Sequence, residues 1–408
     1  MADFHQNGNI ATLHNLRATT PEAMTHALTT FAASRKITLI LPSLYSELEA
    51  PALAHIVDEL AQVPYLHRII IGLDRATHDQ YRHAVDYFSR LPQDHVVIWN
   101  DSPRQKQIEA RLEAMGLGPT EPGKGKNVWG CLGYLMACQD SAVAAIHDCD
   151  ITTYHRDMLT RLVYPVTNPN FPYQLSKGYY PRIGNGSMNG RVTRLLVSPL
   201  LIALKRVIGD RDYIDYLRSF RYPLSGEFAM RTTILPDLRM PSDWGLEIGV
   251  LSEAWRNLAP KTVCQVEISD AYDHKHQDLS PQDKDAGLNR MSTDICKSIF
   301  RKLAADGTVF TTHVFRTLKA TYYRSALDLL ESYYNDAEMN GLTIDRHKEE
   351  RTIELFADNI MRAGDAFLSN PSETPFIPTW SRVHAADPDL MRDMLRAVAD
   401  DYDDLTRS

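Results

Sequence analysis

Two aspartates one residue apart, Asp148 and Asp150, follow the apolar run Ala142–Ile146. Carboxylates at i and i+2 beyond a strand can together hold a hard divalent cation, which prefers oxygen ligands. Strict strand alternation would point them to opposite faces. The chain must therefore bend at Cys149, or one carboxylate must act through water. Ahead of the pair, the connection Gly116–Lys126 holds several glycines with Lys124 and Lys126, cations suited to a diphosphate. It carries neither the Gly-x-x-x-x-Gly-Lys-Ser/Thr nor the Gly-x-Gly-x-x-Gly pattern, and a solvated basic turn would explain it equally well. Beyond the pair, Gly190-Arg191-Val192-Thr193 offers a guanidinium and a hydroxyl at a helix start, suited to a phosphate or carboxylate. Glu247 lies in Asp243-Trp244-Gly245-Leu246-Glu247, and His274 and His276 lie in a polar patch after a further strand.

The elements that must position these groups alternate. Apolar strands at Ile37–Leu41, Leu66–Ile71 and His95–Ile98 are each followed by a segment of helical period, with short connections between. That is the signature of βαβ units around a parallel sheet, in which ligands collect at the carboxyl ends of the strands. Further strands are expected at Tyr173–Tyr180 and Val263–Ile268, and a long apolar helix over Val192–Ile208. Thr20 and Pro21 read as the cap and first residue of a leading helix. Residues 1–33 thus read as an N-terminal arm, 34–284 as the α/β domain (34–153 and 154–284 as its halves), and 285–408 as a helical region suited to a dimer contact. The tail Asp400–Asp404 reads as a solvated acidic end.

Forty-four basic side chains against 52 acidic ones give a formal charge of −8 over 408 residues. That argues against a broad nucleic-acid surface while leaving room for a local basic pocket. No apolar run reaches membrane-spanning length, and Met1–Gly8 does not resemble a secretion signal. Five scattered cysteines without a Cys-x-x-Cys pair fit a reducing, cytoplasmic location. A metal-binding acidic pair, a lysine loop and a histidine after another strand together suit a sugar nucleotide, whose diphosphate needs charge compensation as it departs.

In this order, the segments Leu41-Pro42-Ser43-Leu44-Tyr45-Ser46-Glu47, Gly123-Lys124-Gly125, Asp148-Cys149-Asp150, Gly190-Arg191-Val192-Thr193, Ser225-Gly226-Glu227, Asp243–Gly249 and the His274 patch resemble the glucosyl-3-phosphoglycerate synthases. These are retaining glycosyltransferases of GT-A fold, related to the mannosyl-3-phosphoglycerate synthases. The resemblance implies an α/β, mostly parallel sheet flanked by helices, with a helical C-terminal region. It also implies transfer of glucose from UDP-glucose or GDP-glucose to 3-phosphoglycerate, with Mg2+ or Mn2+. Pro42, Leu44 and Glu47 would line the nucleoside pocket, with Asp74 helping to hold the base and Lys124 beside the donor phosphates. Asp150 would be a direct metal ligand, His274 would complete the shell, and Asp148 would hold ribose or a metal-bound water. Glu247 would bind the hexose or orient the acceptor, making Asp150, Glu247 and Lys124 the catalytic set. Gly190, Arg191 and Thr193 would grip the acceptor phosphate.

Two departures bear on specificity. His276 stands where relatives carry an acceptor-binding Asn, and Tyr45-Ser46 replaces a common Asn-Glu pair in the nucleotide loop. Residue chemistry alone also admits a sugar nucleotidyltransferase, mannosyl transfer to glycerate or its phosphate, or a non-catalytic nucleotide-binding protein. Glu247 could serve only as a helix-start carboxylate, and Trp244 could stack on a sugar or plug the core.

Overall fold

The computed structural model describes residue 6 and residues 8–118, 122–274, 287–371 and 376–407. In chain order the elements begin β1 (Ala11–Leu13), α1 (Pro21–Ala32), β2 (Ile37–Leu44), α2 (Pro51–Leu60), β3 (Leu66–Asp74), α3 (His78–Phe88), β4 (Asp94–Trp99), α4 (Pro103–Ala114) and α5 (Lys124–Cys138). There follow β5 (Val143–Ile146), α6 (Arg156–Thr167), β6 (Leu175–Tyr179), the hairpin β7 (Ile183–Gly184) and β8 (Ser187–Met188), α7 (Ser198–Ile208), α8 (Asp212–Ser219), β9 (Phe228–Arg231), β10 (Met240–Pro241), α9 (Leu246–Asn257) and β11 (Val263–Glu267). The remainder is α10 (Gly287–Ala305), α11 (Thr312–Met339), α12 (Arg346–Ser369), β12 (Phe376–Ile377), α13 (Trp380–Ala386) and α14 (Leu390–Arg407).

Eight strands form one sheet in the order β1-β11-β6-β9-β5-β2-β3-β4. All neighbours are parallel except β9, which runs antiparallel to both β5 and β6. Along β2, Ile37, Leu39 and Leu41 enter one apolar cluster and Ile40 the opposite one, so both faces are covered. A sheet buried on both sides gives continuous apolar strands, which is why these were legible. β9 was not expected, since its four residues lack a period long enough to read. The N-terminal arm supplies an edge strand, with Ala11 to Leu13 pairing Cys264 to Val266. Thr20 caps α1 by accepting from the Ala23 amide.

The apolar segment after Gly190 is less regular than its sequence suggests. Val192–Val197 forms a turn of π-helix, in which the Ser198 amide reaches back five residues to the Thr193 carbonyl. Pro199 has no amide hydrogen for the Leu195 carbonyl, and the hydroxyl of buried Tyr322 in α11 donates to it instead, at 2.6 Å. The helical region lies back on the sheet domain. The acidic tail is solvated except at Asp401, which is buried and accepts from Arg104 of α4 at 2.7 Å, while the exposed Asp404 accepts from the same guanidinium at 2.8 Å. A basic partner on α4, invisible in the local pattern, explains the difference. Among the described residues, no helix is long and apolar enough to cross a membrane.

Candidate active site

Strand β5 ends at Ile146, and the chain bends at Cys149, which turns inward and is buried. Asp148 and Asp150 thereby face the same cavity, beyond the carboxyl ends of the parallel strands. His274 is brought opposite Asp150 by backbone pairing. Ile151 and His274 form an antiparallel bridge, and the Thr152 amide donates to the Asp273 carbonyl at 2.9 Å. His274 Nδ1 then lies 3.6 Å from Asp150 Oδ2, and its Nε2 accepts from Arg182 at 2.6 Å.

Lys124 is the first residue of α5 rather than part of a loop. Its Nζ lies 2.5 Å from Asp148 Oδ1 and 3.2 Å from Glu247 Oε1. Burial alone would lower the Lys124 pKa, but Asp148 and Glu247 override it and raise the value. The converse holds at Asp148, where burial is outweighed by the ammonium and the carboxyl is held low. At Asp150 the balance reverses: burial, and then Asp148, outweigh the more weakly felt Lys124 and push it up to about 7. Lys126 is drawn away to Glu109 at 2.8 Å. The two lysines are thus told apart by partners on distant segments, Asp148 and Glu247 against Glu109, which no spacing rule reveals.

The donor set at Asp150 fits a divalent cation. An oxygen and a ring nitrogen face each other across 3.6 Å, too long for a hydrogen bond, and the surrounding carboxylates leave an excess of negative charge. Asp148, expected as a third member, is turned onto Lys124. Among the described residues no group of three His, Cys, Asp or Glu converges on a metal position. One carboxylate and one imidazole form an open set that substrate phosphates can complete.

Two cavities meet over these groups. The larger, about 460 Å³, is lined by Pro42, Leu44, Glu47, Asp74, Asp148, Asp150 and His274, and also by Trp380 and Met394 from the helical region. Asp74 is braced on both oxygens, by Asn100 at 2.8 Å and Asn127 at 3.0 Å, and burial raises its pKa. The smaller cavity, about 320 Å³, shares Lys124, Asp148, Trp244 and His274 with the first, and adds Gly190, Arg191, Glu247 and Arg182. Trp244 is 39% exposed at this junction, which excludes its role as a core plug. Thr193 is buried behind the wall of the smaller cavity, its hydroxyl lacking a partner among the described residues. His276 lies outside the described residues.

Sequence reasoning passed over three groups here. Arg182 follows an unremarkable strand. Glu227, to which the Ser225-Gly226-Glu227 segment gave no role, is fully buried and accepts from Tyr180 at 2.5 Å and Tyr272 at 2.7 Å. The two phenol rings stack at 3.7 Å. Each tyrosine stands two residues before a site residue, Arg182 or His274, so this carboxylate ties two strand ends together. Lys177 beneath it is buried and donates to the Ser225 carbonyl, and burial lowers its pKa to about 8. Only a period-two reading that placed β6 and β11 side by side could have suggested the cluster.

A mostly parallel sheet with an acidic pair beyond its central strand, and a cavity on each side of that pair, defines a nucleotide-sugar glycosyltransferase of GT-A fold. No family model matches the chain. It is 42% identical over 404 residues to glucosyl-3-phosphoglycerate synthase of Persephonella marina, covering 99% of this chain and 100% of that one. It is 38% identical over 404 residues to the enzyme of Methanococcoides burtonii, covering 98% of each. The chain belongs to the glucosyl-3-phosphoglycerate synthases, retaining glycosyltransferases. A crystal structure of the Mycobacterium tuberculosis enzyme with Mn2+, UDP-glucose and phosphoglyceric acid matches with a TM-score of 0.52 at 24% identity, covering 72% of this chain and 88% of that one. At that identity it bears on the fold alone.

Proposed function

We propose that this enzyme transfers glucose from UDP-glucose to the C2 hydroxyl of 3-phospho-D-glycerate with retention, using Mg2+ or Mn2+ held by Asp150 and His274. The observation that carries the reading is the pair of cavities sharing Lys124, Asp148, Trp244 and His274. A donor in the larger one and an acceptor in the smaller one would meet there. UDP is favoured by the complexes of the M. tuberculosis relative, which hold UDP or UDP-glucose with Mn2+ or Mg2+.

A bound divalent cation would offset the charge that grows on the departing diphosphate. Lys124, already balanced between Asp148 and Glu247, sits where it can add to that offset without moving. Asp148 is held ionised by the lysine and so is available to a ribose hydroxyl or a water. Glu247 is occupied by Lys124, which suits it to orienting hexose hydroxyls rather than attacking the anomeric carbon. The acceptor hydroxyl can attack from the face that the diphosphate leaves, passing its proton to a departing phosphate oxygen. Arg191 and the Gly190 backbone would hold the acceptor phosphate.

The test crosses UDP-glucose, GDP-glucose and GDP-mannose with 3-phosphoglycerate and glycerate, in Mg2+ and in Mn2+, with mass detection. Glucosyl-3-phosphoglycerate should form from UDP-glucose, and Asp150→Asn and His274→Ala should each lower kcat at least about 100-fold while weakening metal binding. A glucosyl adduct trapped on Glu247 or Asp243 would overturn the front-face displacement.

A further inference from the structure

The proposed acceptor carries two anionic groups, a phosphate on C3 and a carboxylate on C1, with the reacting hydroxyl between them. Arg191 and the Gly190 backbone account for one. Resting on that reading of the acceptor, we infer that Arg182 is the specificity-determining residue that recognises the carboxylate.

Four observations place it there. Arg182 lines the smaller cavity together with Arg191. Each has a buried nitrogen, Nε of Arg182 and one terminal nitrogen of Arg191, with no hydrogen-bond partner among the described residues. Buried guanidinium N–H groups without acceptors are costly, and an anion in the cavity would satisfy both. The two arginines are also neighbours through the backbone. The Asn189 amide donates to the Arg182 carbonyl at 2.7 Å, and Gly190, at φ +77°, packs so that an added Cβ would lie 3.2 Å from the Arg182 stem. Two guanidinium forks therefore rise from adjoining backbone to line one cavity, as a ligand with two anionic groups requires.

Arg182 lies against His274, one of the two proposed metal ligands. Its guanidinium lies 2.6 Å from His274 Nε2 and over the Tyr272 ring, 5.3 Å from the centroid. The carboxylate, one carbon from the attacking oxygen, must lie on that side, and the phosphate, farther along the chain, on the Arg191 side. Arg182 donates to His274 Nε2, while Nδ1 faces Asp150. A cation held by Asp150 and His274 would leave the ring proton on Nε2, which could then no longer accept, and the guanidinium would be free to meet an anion in the cavity. Arg290 also reaches this cavity, but it is exposed and engages Asp294 at 3.7 Å.

The experiment measures binding by calorimetry to the Mn2+- and UDP-loaded enzyme, for 3-phosphoglycerate and for glycerol 3-phosphate, which keeps the phosphate and lacks the carboxylate. Wild type should prefer 3-phosphoglycerate. Arg182→Ala should weaken 3-phosphoglycerate at least about tenfold and glycerol 3-phosphate less than about threefold, erasing the preference. Arg191→Ala should weaken both. Arg182→Lys, which keeps charge but loses the fork, should fall between and carries the test if the alanine variant does not fold. Equal losses for both ligands, or no loss for 3-phosphoglycerate, would overturn the role of Arg182. Failure of wild type to bind 3-phosphoglycerate at all would instead overturn the acceptor reading.

Discussion

Asp243 shows how far a side chain in this cleft departs from its ordinary chemistry. Burial, and then the nearby Asp294, push its carboxyl up to about 6, against the opposing pull of the Gly245 amide that it accepts from at 2.8 Å. A carboxyl whose pKa rises on folding favours the folded state below its unfolded value and loses that contribution as pH climbs through the folded one. Wild type and Asp243→Asn should therefore be equally stable near pH 4. The variant should gain on the order of 2–3 kcal/mol between pH 4 and about 6 and keep the advantage at pH 8. Denaturant unfolding across that range reads the difference, and a constant gap at every pH would rule out titration of Asp243. Lys124 makes the opposite case, since its two carboxylates keep it charged despite burial.

At the scale of elements, the turn that leads to Arg191, for which we propose acceptor binding, is fixed from outside the sheet domain. Arg194, next to Thr193, donates through Nε to the Asn189 carbonyl at 2.8 Å and through a terminal nitrogen to that of Met188 at 3.2 Å. It also forks onto Glu349 of α12, at 2.6 and 3.1 Å, with both side chains buried. The hairpin β7–β8 is likewise tied to the α11–α12 connection, where Ser187 and Thr343 hydroxyls lie 2.7 Å apart. Removing one member of a buried pair leaves the other charge uncompensated. Glu349→Gln should therefore raise the acceptor KM about tenfold and leave the donor KM within about twofold, as initial-rate kinetics would show. Equal changes in both constants would mean that the ion pair holds up the whole fold rather than the acceptor turn.

Across the whole molecule, the C-terminal region borders the larger cavity, which we propose holds the donor. Trp380 stacks on Trp129 of α5 at 4.1 Å, and each indole nitrogen donates to a backbone carbonyl across the junction, to Trp129 and Pro378, at 3.1 and 3.0 Å. Gly133 makes this possible, because a Cβ there would lie 2.0 Å from the Trp380 ring. Arg104 and Arg111 of α4 then bind acidic residues in and near α14. Gly133→Ala should raise the donor KM severalfold and lower the melting temperature, with the acceptor KM changed less. An unchanged donor KM in a correctly folded variant would show that Trp380 and Met394 border the cavity without shaping donor binding.

What the amino-acid order determined was set by local periods and local chemistry. The parallel strands, their helices, the Asp148/Asp150 pair and the Arg191 turn were legible because a doubly buried sheet needs unbroken apolar runs and places its ligands just past them. Strand alternation left a bend at Cys149 or a carboxylate acting through water, and the structure has the bend. What the tertiary structure decided were the pairings between distant segments: Lys124 rather than Lys126 at the site, the depth of Thr193, the burial of Asp401 and Glu227, and the meeting of Arg182 with His274 across 92 residues. Charges and hydroxyls on opposite sides of a sheet carry no mutual period. Which of them is neutralised, buried or left facing a cavity depends on strand order and helix packing, quantities that exist only once the chain has closed on itself.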